Sequence, residues 1–465
     1  MAVQGLLSLR DRAFTLYILC SGPYFHRSGG PDVLKSAANA GLGSTICRGL
    51  RELHTYHSPL DLVRERSPER PVALVRPDAV AVAARWFRSN FAGDVLYAVK
   101  ANPSPWMIHA LFENGVDSFD VASIAEIELV AANAPGARMA FMHPVKNREA
   151  IRTAYFEHGV RTFALDTHEE LAKILDSTGD AKDLNLIVRL AVETAGAAYS
   201  LSGKFGVDAL EAPDLLLAAR RATQELMGVS FHVGSQCMRP TAFQAAMAQA
   251  SRALVRAGVF ADVVDVGGGF PSVYPGMVPP DLSEYTAAID RGFNEMMVHE
   301  TTELWCEPGR ALCAEGASLL TRVELRKSDA LYLNDGAYGS LFDAAHSKWP
   351  FPVKLTRAGT PAQGPMKPFH FYGPTCDSID HMPGPFWLPD DVREGDYVEI
   401  GMLGAYGIAM ASRFNGFGDV ETAAVDDAPM ASMFGLAPRS IATPRTESET
   451  VIRLSRARGK RRKRR

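Results

Sequence analysis

Long apolar runs are missing from this 465-residue chain: no segment approaches the roughly 18 consecutive apolar residues that a membrane-spanning helix requires. Cysteine is scarce. The six present (Cys20, Cys47, Cys237, Cys306, Cys313 and Cys376) form no Cys-x-x-Cys pair and keep no regular spacing. That excludes a disulfide framework and leaves reduced thiols in a cytoplasmic protein as the expectation, with no metal site. No internal repeat is present. The composition, 47% hydrophobic and 22% charged, is that of a globular chain long enough for two domains with cores of their own.

The C-terminal stretch is strongly basic and carries no acidic residue. RLSRARGKRRKRR (453–465) holds nine basic side chains and no carboxylate, so the rest of the chain, with 40 basic against 53 acidic residues, carries a charge of −13 behind a formal net charge of −4. A basic tail is able to touch RNA or anionic lipid, but a solvated end accounts for it as simply, and it says nothing about the chemistry of the acidic body. At the other end, AFTLYILC (13–20) follows Arg10 and Arg12. It is short for a signal peptide, Asp11 interrupts the basic region, and no small-x-small cleavage site follows. Residues 1–55 read as an extension, and 426–465 as a tail.

What the chain does have is regular alternation. Short apolar runs occur at VLYAVK (95–100), SFDVA (118–122), MAFMH (139–143), TFALD (162–166), LIVRL (186–190), GVSFH (228–232), VVDVG (263–267) and LWCEP (304–308). Segments of helical period such as HEELAKILD separate them. Eight strands alternating with helices imply a parallel sheet, and eight is the number that closes a (β/α)₈ barrel, of the TIM type. The fold expected is therefore α/β: a barrel over residues 56–320, followed by an all-β domain over 321–425. The first residues of the barrel segment are open to assignment to either domain. In the second domain TRVELRKSDALYLND, KPFHFYGPTC and GDYVEIGML alternate as β strands between Gly, Pro and Asp turns.

Function in such a barrel gathers at the C-terminal ends of the strands. Those ends carry Lys100, Asp120 with Ser123, His143, Asp166, Arg189, His232, then Gly267, Gly268 and Gly269, and finally Glu307 with Arg310. One such residue is readily a solvent-facing side chain; nearly every strand ending this way is not. DVGGGFP (265–271) follows a strand with glycines whose bare N–H groups can approach a phosphate. EPGR (307–310) adds a guanidinium suited to two-point phosphate binding. A phosphate cradle beside a strand-end lysine suggests pyridoxal phosphate held by Lys100 as a Schiff base, with burial lowering the lysine pKa to favour the neutral nucleophile. Glu307 would then face the pyridine nitrogen and keep it protonated; a helix cap or an ion pair to Arg310 is the alternative. His232 would stack on the ring, or else be a core histidine bonded to backbone. In FYGPTCDSID (371–380) a loop presents Cys376 beside Asp377, whose charge raises a thiol's pKa and suits it to donating a proton; a buried structural cysteine is the ordinary alternative.

YAVKANPSP, FDVASIAEIE, LSGKFG, GVSFHVGS, DVGGGFP, EPGR, GPTCDSID, GAYG and FNGF, in this order over roughly residues 58–420, resemble the fold-type III pyridoxal-phosphate decarboxylases, most closely their ornithine/lysine branch. The resemblance implies a barrel and a β domain assembled as a head-to-tail homodimer with active sites shared across the interface. It assigns the Schiff base to Lys100, ring stacking to His232 and the nitrogen partner to Glu307. Phosphate contacts fall to Ser202, Gly269, Arg310 and Tyr406, with Gly268 and Gly309 as further cofactor-binding residues and Asp120, Glu126 and Arg189 as polar neighbours. Cys376 would reprotonate Cα after CO₂ leaves, while Asp377, and Asp343 in GSLFDAAHSKWPFP (339–352), would bind the substrate's distal amine. Relatives acting on diaminopimelate usually carry Cys-Glu-Ser where this chain has Cys-Asp-Ser, which favours L-ornithine, giving putrescine for polyamine synthesis, or L-lysine. Carboxynorspermidine or diaminopimelate decarboxylation is a weaker match. Racemases on the same barrel place arginine where Glu307 stands. Decarboxylase-like proteins that only bind a partner typically lose residues such as Lys100, Arg310, Cys376 and Asp377, all present here.

Overall fold

The computed structural model describes residues 53–192, 197–199, 203–347 and 349–436. Ser202, the segment upstream of residue 53 and the basic tail lie outside the described residues.

Strands Asp94–Ala98, Ser118–Val121, Arg138–Phe141, Thr162–Leu165, Asn185–Arg189, Met227–Ser230, Val263–Asp265 and Glu303–Cys306 close into one barrel, each parallel to its neighbours. These are the eight runs read from the sequence. Closure follows from their being apolar on both faces. Leu96, Ala140, Ala164, Ile187, Val263 and Trp305 on the strands, with Met142 just beyond one of them, pack together as the core that fills the barrel. Their neighbours Val95, Tyr97, Phe119, Phe141 and Phe163 belong to the larger core shared with the surrounding helices. Full burial of each large apolar side chain contributes roughly 2 kcal/mol.

The second layer is a nine-stranded sheet. Its long strand Ala317–Lys327 pairs antiparallel with Val72–Val75, Ala330–Leu333 and Tyr397–Ile400. Two strands upstream of the barrel, Thr55–Tyr56 and Val72–Val75, thus pair into this sheet, the second of them between Ala317–Lys327 and Glu421–Val425. The buried Arg76, next after that strand, holds this junction by bonding Glu399 at 2.9 Å and Ser318 Oγ at 2.8 Å. Among the described residues no helix is long and apolar enough to cross a membrane.

One buried cation shapes the barrel mouth. Lys146, beyond strand Arg138–Phe141, has a fully buried side chain. Its ammonium donates to the carbonyls of His143 (2.9 Å) and Ala164 (2.6 Å) and lies 3.0 Å from Glu170 Oε1. Glu170 is set in the first turn of helix His168–Thr178, where its N–H donates to the capping Thr167 Oγ1 at 3.1 Å. The loop carrying Met142 and His143 is thereby tied to the next strand and helix. Burial outweighs the Glu170 charge and pulls Lys146 down to about 8 from 10.5.

Removing the ammonium leaves the carbonyls of His143, Pro144 and Ala164 without this donor and Glu170 with Lys173 as its remaining cation, so Lys146→Met should lower the unfolding free energy by about 2 kcal/mol near neutral pH. The sign of the pH dependence is unusual for a lysine. The folded chain sheds the proton near pH 8 whereas the unfolded chain keeps it to about 10.5, so wild type gains stability relative to the variant as pH climbs through that window. Urea titrations of both proteins below and above pH 8 test this; a gap that stays constant would remove Lys146 as a buried titrating group.

Candidate active site

At the C-terminal ends of the barrel strands lies a cavity of about 410 Å³. It is lined by Lys100, Asp120, His143, Arg189, His232, Gly268, Gly269, Glu307, Gly309, Arg310 and Tyr406, together with Met142, Lys204, Phe205 and Ser235. The strand-end residues named from sequence converge here, Ser123, Asp166 and Gly267 excepted; Asp166 Oδ2 accepts from Gly206 N at 2.8 Å.

Lys100 sits two residues past its strand, inside the 3₁₀ turn Val99–Ala101. The turn is pinned from the β domain: Asn102 Nδ2 donates to Gly404 O at 2.8 Å, and Tyr406 N to Ala101 O at 2.8 Å. Tyr406 accepts a left-handed backbone (φ +54°) to do this. The ammonium meets Asp120 Oδ2 at 2.5 Å, while 45% of the side-chain surface stays open, consistent with its place on the cavity wall. Desolvation pulls the lysine pKa down, but Asp120, with Glu307 and Tyr406 behind it, outweighs that and holds the group charged above its ordinary value. The depressed pKa expected for Lys100 is therefore not what this site gives: burial arrives together with a carboxylate, and the carboxylate wins.

His232 is the opposite case. Its Nδ1 accepts from Gly234 N at 2.9 Å, and burial, with Arg189 and Lys100 nearby, lowers its pKa to about 3. The ring is a neutral, flat wall. Glu307 lies buried beside Asp265. Burial first, then Asp265 and Asp120, push the Glu307 carboxyl well up, and burial lifts Asp265 to about 6. Asp265 Oδ1 accepts from Gly267 N at 2.8 Å, and its Oδ2 completes no hydrogen bond of good geometry, leaving the neighbouring Glu307 carboxyl as the group able to share a proton with it. Glu307 is the member of the pair that holds the proton.

The glycines are required by close approach. A Cβ on Gly268 would stand 2.8 Å from Glu307 O and 3.0 Å from His232 Nε2; one on Gly269 (φ +104°) would stand 2.5 Å from Gly234 O. Across from them, Arg310 Nη1 donates to Tyr274 Oη and to Asp343 Oδ2, both at 2.7 Å. Its Nε is buried with no partner. An orphaned guanidinium edge facing bare backbone is a cradle for an oxyanion, and with Lys100, a flat imidazole and a buried carboxyl around it the donor set fits pyridoxal phosphate.

Four expected residues stand elsewhere. Asp343 is committed to Arg310 and accepts from Ser347 Oγ at 3.0 Å, off the cavity wall. Glu126 completes a capping box: Ser123 Oγ accepts from Glu126 N (3.3 Å) and Glu126 Oε2 from Ala122 N (2.7 Å). Cys376 is exposed and Asp377 half-buried on a loop of the β domain; neither lines the cavity of this chain. Lys204 and Phe205 reach the cavity and were missed in the sequence, although the Leu-Ser-Gly-Lys-Phe-Gly run containing them carried the signal.

The model of the pyridoxal-dependent decarboxylases, pyridoxal binding domain, matches residues 78–314. The lysine/ornithine decarboxylase of Selenomonas ruminantium is 34% identical over 72% of this chain and 84% of its own. The ornithine decarboxylase of Panagrellus redivivus is 30% identical over 85% and 95%. A solved lysine/ornithine decarboxylase from Vibrio vulnificus, complexed with cadaverine, superposes with a TM-score of 0.68 at 30% identity, over 80% of this chain and 100% of that one.

Pyridoxal phosphate is thus the cofactor, and the glycine contacts give a test that needs no turnover. Gly268→Ala forces either Glu307 or His232 to move, so the apparent Kd for pyridoxal phosphate, read from its absorbance, should rise about ten-fold or more. Unchanged affinity would mean that the glycine cluster does not border the cofactor.

Proposed function

Since this chain belongs to the pyridoxal-dependent decarboxylases of basic amino acids, we propose that it converts L-ornithine to putrescine, with L-lysine as the alternative substrate. The observation that carries a diamino acid as substrate is the Cys376–Asp377 pair on an open loop. An aspartate there suits a distal ammonium, where a second substrate carboxylate would be repelled.

The roles follow from the geometry of each group. Lys100 would hold the cofactor through its amine, and Asp120, at 2.5 Å, is placed to take the proton that the amine must lose. His232, held neutral by burial, supplies a face without charge. Glu307 would sit against the pyridine nitrogen. Arg310, Gly268, Gly269, Gly309 and Tyr406 would hold the phosphate, with Ser202 from the family pattern. The cofactor, when bound, supplies an electron sink for the pair left on Cα as CO₂ departs. Cys376 then gives its proton to Cα.

Cys376 and Asp377 do not line the cavity of their own chain, so the proposal includes a homodimer in which the partner subunit supplies them. Ile379, Ile408, Met410, Phe414 and Phe417, between 41% and 65% exposed, lie on the loops around that pair, an apolar patch of the kind an interface covers. We place the protein in the cytoplasm, and assign the basic tail no part in the reaction.

Purified protein with pyridoxal phosphate, given L-ornithine, L-lysine, L-arginine and meso-diaminopimelate in competition, should yield putrescine as the main product by mass spectrometry. Cadaverine as the main product would move the assignment to lysine, and lysine formed from diaminopimelate would overturn the reading of Asp377. Lys100→Ala should abolish the long-wavelength absorbance of the bound cofactor. Cys376→Ala should leave that absorbance intact while amine formation falls; unchanged turnover would remove the thiol from the reaction.

A further inference from the structure

Resting on that reading of Asp377, we propose that Tyr338 is a positioning residue for specificity: its hydroxyl fixes the Asp377 carboxylate in the orientation that receives the substrate's distal ammonium. Strands Ala330–Leu333 and Met366–Tyr372 are parallel neighbours, in register from Ala330 opposite His370 to Tyr332 opposite Tyr372. Their following loops, one bearing Tyr338 and the other Cys376 and Asp377, therefore leave the sheet side by side. Asp380, 1% exposed, locks the two together. Its Oδ1 accepts from Ala337 N at 2.6 Å, and its Oδ2 from Thr375 N at 3.0 Å and Thr375 Oγ1 at 2.7 Å. Gly336 and Gly373 leave room for it, since a Cβ on either would stand 2.2 Å from Asp380 Oδ1.

Against this frame the tyrosine is held at both ends. Its carbonyl accepts from Ser412 N (2.8 Å) and Ser412 Oγ (2.9 Å), and its ring lies 4.7 Å from that of Phe414. Next along, Asn415 Oδ1 accepts from Cys376 N at 3.2 Å. The Tyr338 hydroxyl donates to Asp377 Oδ2 at 2.7 Å while Ile379 N donates to Oδ1 at 3.1 Å. Each carboxylate oxygen has one donor fixed and one lone pair left, so the free positions share an edge that an ammonium with three N–H groups can bridge. An aspartate on an open loop without the phenol would sample other rotamers and bind the amine only in some of them. The same hydrogen bond holds the Asp377 carboxyl below the usual carboxylate range, so it stays charged at mildly acidic pH.

Tyr338→Phe removes the hydroxyl and keeps the ring on Phe414. Steady-state kinetics with L-ornithine and L-lysine, cofactor absorbance and light scattering would be run on wild type, Y338F and D377N. The expected result is a KM for the preferred substrate about ten-fold higher in Y338F, with kcat, cofactor absorbance and assembly unchanged and discrimination between the two substrates reduced. A Y338F enzyme with unchanged KM, while D377N raises it, would overturn the role of Tyr338 and leave Asp377 standing. Unchanged KM in D377N would overturn the reading of Asp377 and this inference with it. A Y338F protein that is impaired only because it dissociates, recovering wild-type KM at high protein concentration, would make Tyr338 a structural prop and also overturn the inference.

Discussion

The structure turns on how a barrel mouth accommodates charges that its interior would reject. The Lys100 ammonium, the Asp120 carboxylate and the Glu307–Asp265 pair lie within one small space above a core of leucine, alanine, isoleucine, valine and tryptophan. Isolated, any of these charges would be strongly disfavoured there. Together they divide the protons: Lys100 keeps its own because Asp120 stands 2.5 Å away, and Glu307 gains one because burial, with Asp265 and Asp120 around it, disfavours its charge. The arrangement is neutralised at rest but not settled, since each group depends on another for its protonation state. Under the proposed roles, a cofactor offering a ring nitrogen to Glu307 and an aldehyde carbon to Lys100 would engage both groups at once.

Much of this was legible in the sequence because it depends on period and order. The eight apolar runs are the eight barrel strands, since a strand buried on both faces has to be apolar throughout, and Lys100, Arg189, His232 and Glu307 fall at their ends because the C-terminal ends of parallel strands face one mouth. Three features were not legible, for a common reason. Lys146 reads as a surface lysine in Pro-Val-Lys-Asn-Arg; only the through-space approach of Glu170 and three carbonyls makes it a buried one. Asp343 reads as a free carboxylate until Arg310 is seen against it. The direction of the Lys100 shift could not be read either, because it is a contest between desolvation and Coulomb attraction, and a sequence shows neither distance. Period and order give the address of a side chain; pairing decides its charge.

That distinction bears on where substrate choice resides. The barrel contributes what every reaction of the bound cofactor needs, a lysine, an imidazole face, a carboxyl and a phosphate cradle, and all of it is rigidly set on strand ends. The β domain contributes Asp343 and Asp377. The first is already paired with Arg310, so any distal ammonium it received would have to compete with a guanidinium at 2.7 Å. The second accepts only neutral donors, a phenol and a backbone N–H, and keeps its full charge available. On electrostatic grounds the distal ammonium of the proposed substrate would go to Asp377. In the homodimer we propose, selectivity for the length of a diamino acid would then depend on the distance from the cofactor to the loop of the partner subunit, and the stiffness of that loop, set by Asp380, Asn415 and Tyr338, would be the quantity on which discrimination between substrates one methylene apart rests.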